Sequence, residues 1–223
     1  MQAVILAGGL GSRLRPITDY VPKPLIPINN IPLIEWQIKY LKKYGIDEII
    51  LCTGYKTDQI QNYLEHKKNF ECKIQYSIEK TPLGTGGAIK KAAKLIKGKS
   101  FLVINGDIIT TIDVRKLYSH PNSIALVELR TKFGTVDIED SKITQFREKK
   151  PLANVWMNSG IYYLDKKMIS TLPGKGAIEE TSFRKYAQQG KLTGIKFKDS
   201  FWYSIDSHKD LDECSKALKG KKP

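Results

Sequence analysis

Apolar residues in the first half of the chain form short continuous runs that alternate with amphipathic segments. The runs QAVILA, DEIILCTG, CKIQYSI and SFLVINGD each have the length of a buried strand. Between them, IPLIEWQIKYLKKYG, TDQIQNYLEH and TGGAIKKAAKLIKG place apolar positions at helical spacing, with Pro32 suited to a first turn and Gly45 to a C-cap. This β-α-β-α-β-α-β order predicts a parallel sheet with helices on both faces, because such crossovers are right-handed.

From about Ser123 onwards, the pattern changes to strand-like segments joined by short turns, which are SIALVEL, FGTVDIED, KITQFREK and NVWMNSGIYYLD. AIEETSFRKYAQQG predicts a further helix, KLTGIKF and FWYSID predict strands, and SHKDLDECSKALKG predicts a closing helix with Ser207 as its N-cap. We therefore expect one α/β domain, residues 1–219, with a Rossmann-like mixed sheet that is mostly parallel and covered by helices on both faces. Residues 220–223 are expected to form a disordered tail.

The composition is that of a globular protein, with 41% hydrophobic and 27% charged residues among 223. No apolar run is long enough for a membrane span, and no basic segment precedes the first strand as in a signal peptide. The three cysteines are scattered and match no metal spacing. We expect a cytoplasmic protein in which the cysteines are reduced.

The net charge is +14, from 37 basic and 23 acidic side chains. The lysines are spread over the whole chain, and no aromatic-basic motif of the RNA-binding kind is present. Solvated helix faces account for this charge better than a nucleic-acid surface does, and a polyanionic small substrate fits it equally well. We expect no nucleic-acid partner and no membrane partner.

The first strand leads into LAGGLGSRLRP, a loop with three glycines and two arginines. A dinucleotide-binding fingerprint needs a third glycine at the opening of a helix, whereas Ser12, Arg13 and Leu14 follow here. The Gly-Lys-Ser/Thr of a Walker A loop and the glycine-flanked serine of a nucleophile elbow are both missing. Two interpretations remain: a loop whose backbone N–H groups converge on phosphate oxygens, or a tight turn that exposes an arginine.

The segment VPKPLIPI favours the phosphate interpretation. Lys23 stands between Pro22 and Pro24, which restrict its backbone from both sides, so we expect an extended conformation there. A lysine whose backbone is restricted in this way can hold its ammonium group at a fixed point against an anion.

Together, AVILAGGLGSRLRPITDYVPKPLIPI resembles the signature of the sugar-1-phosphate nucleotidyltransferases, the nucleoside-diphosphate-sugar pyrophosphorylases. EKTPLGTGGAI, VINGD, FREK, NSGIYYL and WYSID follow in the family's order, so the resemblance covers nearly the whole chain. Within that family, the segment PLGTGGAI is most similar to guanylyltransferases for mannose- or heptose-type phosphates. The resemblance implies the nucleotide-diphospho-sugar transferase fold and an Mg²⁺-dependent reaction in which an NTP and a sugar 1-phosphate give an NDP-sugar and pyrophosphate.

The resemblance also implies a role for individual residues. Arg13 would neutralise the departing pyrophosphate, and Lys23 would bridge the α-phosphate and the sugar phosphate. Asp107 and Asp206, each at the end of a strand, would hold Mg²⁺, although Asp206 could instead cap the last helix. The implied nucleotide-binding residues are Leu6, Ala7, Gly8, Gly9, Gly11, Glu79 and Gly84. The implied sugar-phosphate-binding residues are Gly134, Glu148, Lys149 and Asn158, of which Asn158 could instead only satisfy backbone groups.

Glu79 bears on the choice of nucleobase. Uridylyl- and thymidylyltransferases of this family typically carry glutamine at the matching position. A carboxylate only accepts hydrogen bonds, which suits the adjacent N1–H and N2–H₂ donors of guanine. The expectation is therefore GTP, with UTP or dTTP and a glucose-type or amino-sugar phosphate as the alternative, since some relatives with glutamate use UTP.

Two further functions stay open, a non-catalytic sensor of nucleotide sugars and a cytidylyltransferase for a phosphate such as phosphocholine. The presence of Arg13 and Lys23 together with both aspartates argues against a non-catalytic sensor. Glu148 and Asn158 suit an acceptor with hydroxyl groups better than one with a cationic head group, which argues against phosphocholine. Because the chain stops after the helix that begins at Ser207, we expect no C-terminal β-helix domain and a monomer or homodimer.

Overall fold

The structure is a computed structural model that describes residues 1–67, 70–131, 133–148 and 151–220, with the backbone alone for residues 151 and 153. The described α-helices are α1 (Ile17–Tyr20), α2 (Leu33–Lys43), α3 (Thr57–Lys67), α4 (Gly84–Ala92), α5 (Arg184–Gln188) and α6 (His208–Ala217). The described strands are β1 (Gln2–Ala7), β2 (Pro27–Ile28), β3 (Ile31–Pro32), β4 (Glu48–Thr53), β5 (Lys73–Ile78), β6 (Ser100–Asn105), β7 (Ile108–Thr110), β8 (Ser123–Arg130), β9 (Thr135–Glu139), β10 (Lys142–Arg147), β11 (Pro151–Asp165), β12 (Thr193–Phe197) and β13 (Trp202–Ser204).

Seven strands form one central sheet in the order β12-β8-β11-β6-β1-β4-β5. β1 lies parallel to β4 and β6, β4 to β5, and β8 to β12, whereas β11 is antiparallel to both of its neighbours. The predicted α/β fold with a mixed, mostly parallel sheet is therefore confirmed. The remaining strands form three small pairs, β2 with β3, β7 with β13 and β9 with β10.

Both faces of the sheet are covered, which explains why the central strands read as continuous apolar runs. In β1, Ile5 faces a core cluster that includes Ile38 of α2, while Val4 faces a second cluster that includes Ile89 of α4. Successive side chains of a strand point to opposite faces, so each face of the sheet has its own packed layer. The helices therefore lie on both faces, as predicted.

Two helix signals in the sequence were accurate and one was incomplete. Gly45 follows α2 at φ +73° with its N–H on the Lys42 carbonyl, and the Ser207 hydroxyl accepts from the Asp210 N–H at the start of α6. The segment AIEETSFRKYAQQG instead opens with a π-helical turn, Glu179–Phe183, before α5 begins. Residues 221–223 of the expected tail lie outside the described residues, and Gly220 belongs to the turn after α6.

The parallel pairing brings the carboxyl ends of β1, β4 and β6 to one edge of the sheet. The glycine-rich loop leaves β1 there, and the turn at residues 106–107 leaves β6 there. β13 pairs antiparallel with β7 and delivers Asp206 to the same place, because the Ile205 N–H donates to the Asp107 carbonyl at 2.9 Å. Among the described residues, no helix is long and apolar enough to cross a membrane.

Candidate active site

The glycine-rich loop is held in a shape that requires glycine at position 11 and brings Gly8 against the side chain of Glu79. Gly11 has φ +65°, and a Cβ on it would lie 2.8 Å from Cγ2 of Thr18, whose hydroxyl also donates to the Gly11 carbonyl at 3.0 Å. A Cβ on Gly8 would lie 2.7 Å from Oε1 of Glu79. At Gly9 a Cβ would meet no atom within 4 Å, so that part of the loop faces open space.

The loop then turns through a 3-10 segment, Ser12–Leu14, that separates its side chains by polarity. Leu14 is fully buried and anchors the turn, whereas the side chain of Arg13 is 73% exposed. Arg15 is extended, with ψ 145°, as expected for a residue before a proline. The burial of Leu14 therefore aims Arg13 outwards.

The backbone at Lys23 differs from the extended conformation expected between two prolines. Lys23 begins a 3-10 turn, Lys23–Leu25, in which the Leu25 N–H donates to the Pro22 carbonyl and the Ile26 N–H to the Lys23 carbonyl. Pro24 fits inside this turn because no hydrogen bond of the turn requires its missing N–H. The backbone of Lys23 is still held rigidly, but by a hydrogen-bonded turn and not by an extended conformation.

Lys23 and Arg13 meet the two predicted carboxylates at one point. The Lys23 Nζ donates to Oδ2 of Asp107 at 2.8 Å and to Oδ1 of Asp206 at 3.3 Å. The Nη2 of Arg13 donates to the same Oδ1 of Asp206 at 2.8 Å. Residues up to 193 positions apart thus form one cluster of two cations and two carboxylates.

The cations also determine the acidity of Asp206. Burial by itself would raise the pKa of this carboxyl, but the charge of Lys23, hydrogen bonds from Ser204 and Lys23, and the charge of Arg13 outweigh burial and leave the pKa lowered. Asp206 is therefore held as a carboxylate, which is the form that accepts a metal ion. The Ser204 hydroxyl, at 2.9 Å from Oδ2, fixes its second oxygen.

These groups line a cavity of about 230 Å³ at the carboxyl edge of the sheet. The residues of the predicted site that border it are Leu6, Ala7, Gly9, Gly11, Arg13, Lys23, Asp107 and Asp206. A second cavity of about 470 Å³ borders Asp206 from the side of β13 and α6, with Trp202 in its wall. Asp206 consequently stands between two concave spaces.

Glu79 and Gly84 form a separate group beside the glycine-rich loop. Glu79 is only 8% exposed, its Oε2 accepts from the Leu83 N–H at 2.9 Å, and burial raises its pKa. Gly84 has φ +73°, and a Cβ there would lie 2.7 Å from the Gly176 carbonyl oxygen. The contact that requires glycine at position 84 is thus with the protein's own backbone.

The residues predicted on the sugar side lie outside the lining of the smaller cavity. Glu148 is exposed, and its Oε2 would lie 3.0 Å from a Cβ on Gly134, so these two are neighbours at the base of the β9–β10 pair. Asn158 is exposed, yet its Oδ1 accepts from the Gly160 N–H at 2.8 Å and its Nδ2 donates to the Tyr162 hydroxyl at 2.9 Å. Lys149 lies outside the described residues.

Three supporting residues were missed from the sequence. Ser204 orients Asp206, and the turn of Asp107 depends on Gly106, where a Cβ would lie 2.4 Å from the Leu6 carbonyl oxygen. Gln37 bonds the backbone on both sides of that turn. A signal for Gln37 was present, since it is a polar residue on the apolar stripe of α2.

Comparison with known proteins agrees with this geometry. A family model described as nucleotidyl transferase matches residues 2–221. The chain is 36% identical, over 98% of its own length and 98% of the relative's, to the D-glycero-alpha-D-manno-heptose 1-phosphate guanylyltransferase of Aneurinibacillus thermoaerophilus. It is 40% identical to the protein of that name from Campylobacter jejuni, over 90% of this chain and 93% of that one.

Among solved structures, HddC from Yersinia pseudotuberculosis complexed with GMP-PN superimposes with a TM-score of 0.74 at 32% identity, covering 97% of this chain and 99% of that one. The fold, the sequence identity over nearly the whole chain and the charged cluster at the end of β1 and β6 all lead to the same assignment. This chain belongs to the nucleotidyl transferase family of enzymes.

Proposed function

We propose that this chain is an Mg²⁺-dependent guanylyltransferase that joins GTP to a heptose 1-phosphate or mannose-type 1-phosphate, with release of pyrophosphate. The observation that carries the proposal is the meeting of Lys23, Arg13, Asp107 and Asp206 at the mouth of a glycine-lined cavity. Two polyanionic substrates can approach each other only where their charge is neutralised, and the two cations supply that condition.

The reaction needs no protein nucleophile. A phosphate oxygen of the sugar 1-phosphate attacks the α-phosphorus of GTP in line, and the bond to the pyrophosphate oxygen breaks. Lys23, whose ammonium is within reach of both carboxylates, holds the α-phosphate and the incoming phosphate together. Arg13 is exposed and can swing onto the β- and γ-phosphates, where negative charge grows as pyrophosphate leaves.

The donor set at this point fits magnesium. Mg²⁺ prefers one or two carboxylates together with substrate oxygens and water. Asp107, in the turn after β6, and Asp206, just after β13, present two carboxylates around one ammonium group. When bound, Mg²⁺ supplies Lewis-acid polarisation of the phosphate oxygens. Displacement of Lys23 from the two carboxylates towards the α-phosphate would free their oxygens for the metal.

Guanine recognition would depend on Glu79. Its carboxylate lies against Gly8 at the rim of the glycine-rich loop, and one of its oxygens already accepts from Leu83. The N1–H and N2–H₂ groups of guanine would supply the donors that this buried carboxylate needs. The two relatives named as heptose-1-phosphate guanylyltransferases support this choice of base and of acceptor.

Two places are candidates for the acceptor sugar. The family resemblance favours the exposed residues Asn158 and Glu148, and the structure offers the larger cavity beside Asp206. Asn158 keeps one amide hydrogen beyond those used by its internal bonds, so it can still donate to a hydroxyl group. We propose residues 1–219 as the catalytic domain, acting as a monomer or homodimer.

A substrate panel tests the proposal. The enzyme with Mg²⁺ is given GTP, UTP, dTTP, CTP or ATP, each with heptose, mannose, glucose or N-acetylglucosamine 1-phosphate or with phosphocholine, while pyrophosphate release is followed. We expect the highest kcat/KM for GTP with a manno-configured 1-phosphate. Preference for UTP or dTTP would refute the guanine argument, turnover of phosphocholine with CTP would favour the non-sugar alternative, and inactivity throughout would favour a sensor.

A further inference from the structure

The carboxylate of Asp107 stands on a two-residue turn, Gly106–Asp107, between β6 and β7, and the backbone of this turn is bound from three directions. The Gly106 N–H donates to the Leu6 carbonyl at 2.8 Å, and the Asp107 carbonyl accepts from the Ile205 N–H at 2.9 Å. These two bonds come from segments that themselves carry site residues. The third direction is the side chain of Gln37, on a helix that supplies no residue to the cavity.

Gln37 bonds both ends of the turn with a single amide group. Its Nε2 donates to the Asn105 carbonyl at 2.8 Å and to the Ile108 carbonyl at 3.1 Å. Both amide hydrogens are therefore used on the residues directly before and after Gly106–Asp107. The side chain is 1% exposed, so water cannot take over either bond.

The arrangement costs the protein a hydrogen bond elsewhere. Oε1 of Gln37 is a buried acceptor without a hydrogen-bond partner in the part of the chain that the structure describes. A buried unpaired polar atom is destabilising, yet the uncharged NH₂ group of an amide supplies the two hydrogens that two converging carbonyls require. With both hydrogens of Nε2 directed at the two carbonyls, Oε1 of Gln37 is left without a hydrogen-bond donor.

We propose that Gln37 is a positioning residue for the metal-binding carboxylate of Asp107. By fixing the separation of the Asn105 and Ile108 carbonyls, it sets the direction in which the turn presents Asp107 to Asp206 and Lys23. This inference rests on the proposed function, because it gives Asp107 the role of a metal ligand. Groups that orient metal ligands from outside the coordination sphere typically change metal affinity by about 10- to 100-fold when they are removed.

The test compares Gln37→Met, which keeps the length of the side chain and removes its donor, with Tyr40→Phe as a matched control. Tyr40 lies on the same helix and donates to the Ile112 carbonyl at 2.8 Å, so its loss removes one bond to the same segment, five residues beyond Asp107. Mn²⁺ binding to enzyme with a non-hydrolysable GTP analogue is measured by electron paramagnetic resonance. We expect the Kd for Mn²⁺ to rise about 10-fold in Gln37→Met and less than 2-fold in Tyr40→Phe.

Hydrogen exchange provides a readout that needs neither metal nor turnover. In the metal-free wild type, the amides of residues 106–108 should be strongly protected, and Gln37→Met should speed their exchange while leaving β1 and β4 unchanged. Equal Mn²⁺ affinity in both variants would overturn the proposal. Rapid exchange of this turn in the wild type would also overturn it, and that measurement does not depend on whether Gln37→Met folds. If the wild type bound no Mn²⁺, the metal role in the proposed function would fail, and hydrogen exchange would still decide whether Gln37 holds the turn.

Discussion

Replacement of Lys23 by methionine tests the charged cluster most directly, because methionine keeps most of the apolar stem and removes only the ammonium group. In the wild type this group lies 2.8 Å from Asp107 and 3.3 Å from Asp206, and its side chain is 15% exposed. Charge-assisted hydrogen bonds at such partly buried positions contribute about 2 kcal/mol, and their loss leaves two carboxylates facing each other.

For a chain of this size a loss of that order lowers Tm by roughly 4–8 °C. Loss of a cation positioned on a transferring phosphoryl group should also lower kcat by about 10²- to 10³-fold. Thermal melts in EDTA give the change in Tm, and pyrophosphate release in Mg²⁺ gives the change in kcat, so the two effects are measured independently. Mg²⁺ should restore part of the lost Tm in Lys23→Met, since the metal then neutralises the paired carboxylates.

Lys42→Met is the matched control. Lys42 forms an ion pair of similar length, 2.9 Å, with Glu71, but the side chain of Glu71 is 86% exposed. Exposed ion pairs contribute little to stability, so both Tm and kcat should remain close to the wild type. A kcat for Lys23→Met within 2-fold of the wild type would refute the catalytic role of Lys23, and equal Tm changes in the two variants would refute the energetic argument.

Four further outcomes follow from the site. Asp107→Asn should keep its Tm within a few degrees of the wild type and lose activation by Mg²⁺, and an unchanged Mg²⁺ titration would contradict its role as a ligand. Gly11→Ala should lower the free energy of unfolding by about 1–3 kcal/mol in a denaturant melt, because Gly11 has φ +65° and the added Cβ would meet Thr18 at 2.8 Å. Glu79→Gln should move the preference from GTP towards UTP. In the wild type the KM for GTP should rise as pH falls, beginning at a higher pH than for an ordinary glutamate, because burial raises the pKa of Glu79 and its protonated form loses an acceptor. A pH-independent KM would count against this role.

Much of the fold was predictable because its signals are local. The apolar runs of β1, β4 and β6, the helical spacing of α2 and the Gly45 cap depend on residues close together in the chain. The π-helical start of the segment before α5 was not predictable, because α and π turns share almost the same apolar spacing over five residues. The 3-10 turn at Lys23 was missed because a two-sided proline restriction permits more than one hydrogen-bonded outcome.

The sequence by itself determined the alternation of strands and helices, the glycine-rich loop and the types of charged residue at the ends of strands, since each of these is encoded within a few neighbouring positions. Only the tertiary structure decided that Arg13, Lys23, Asp107 and Asp206 share one point, and that Gln37 reaches beneath the turn of Asp107. These contacts depend on which strands pair and in which register. Strand order and register arise from packing between distant segments, which no local pattern specifies.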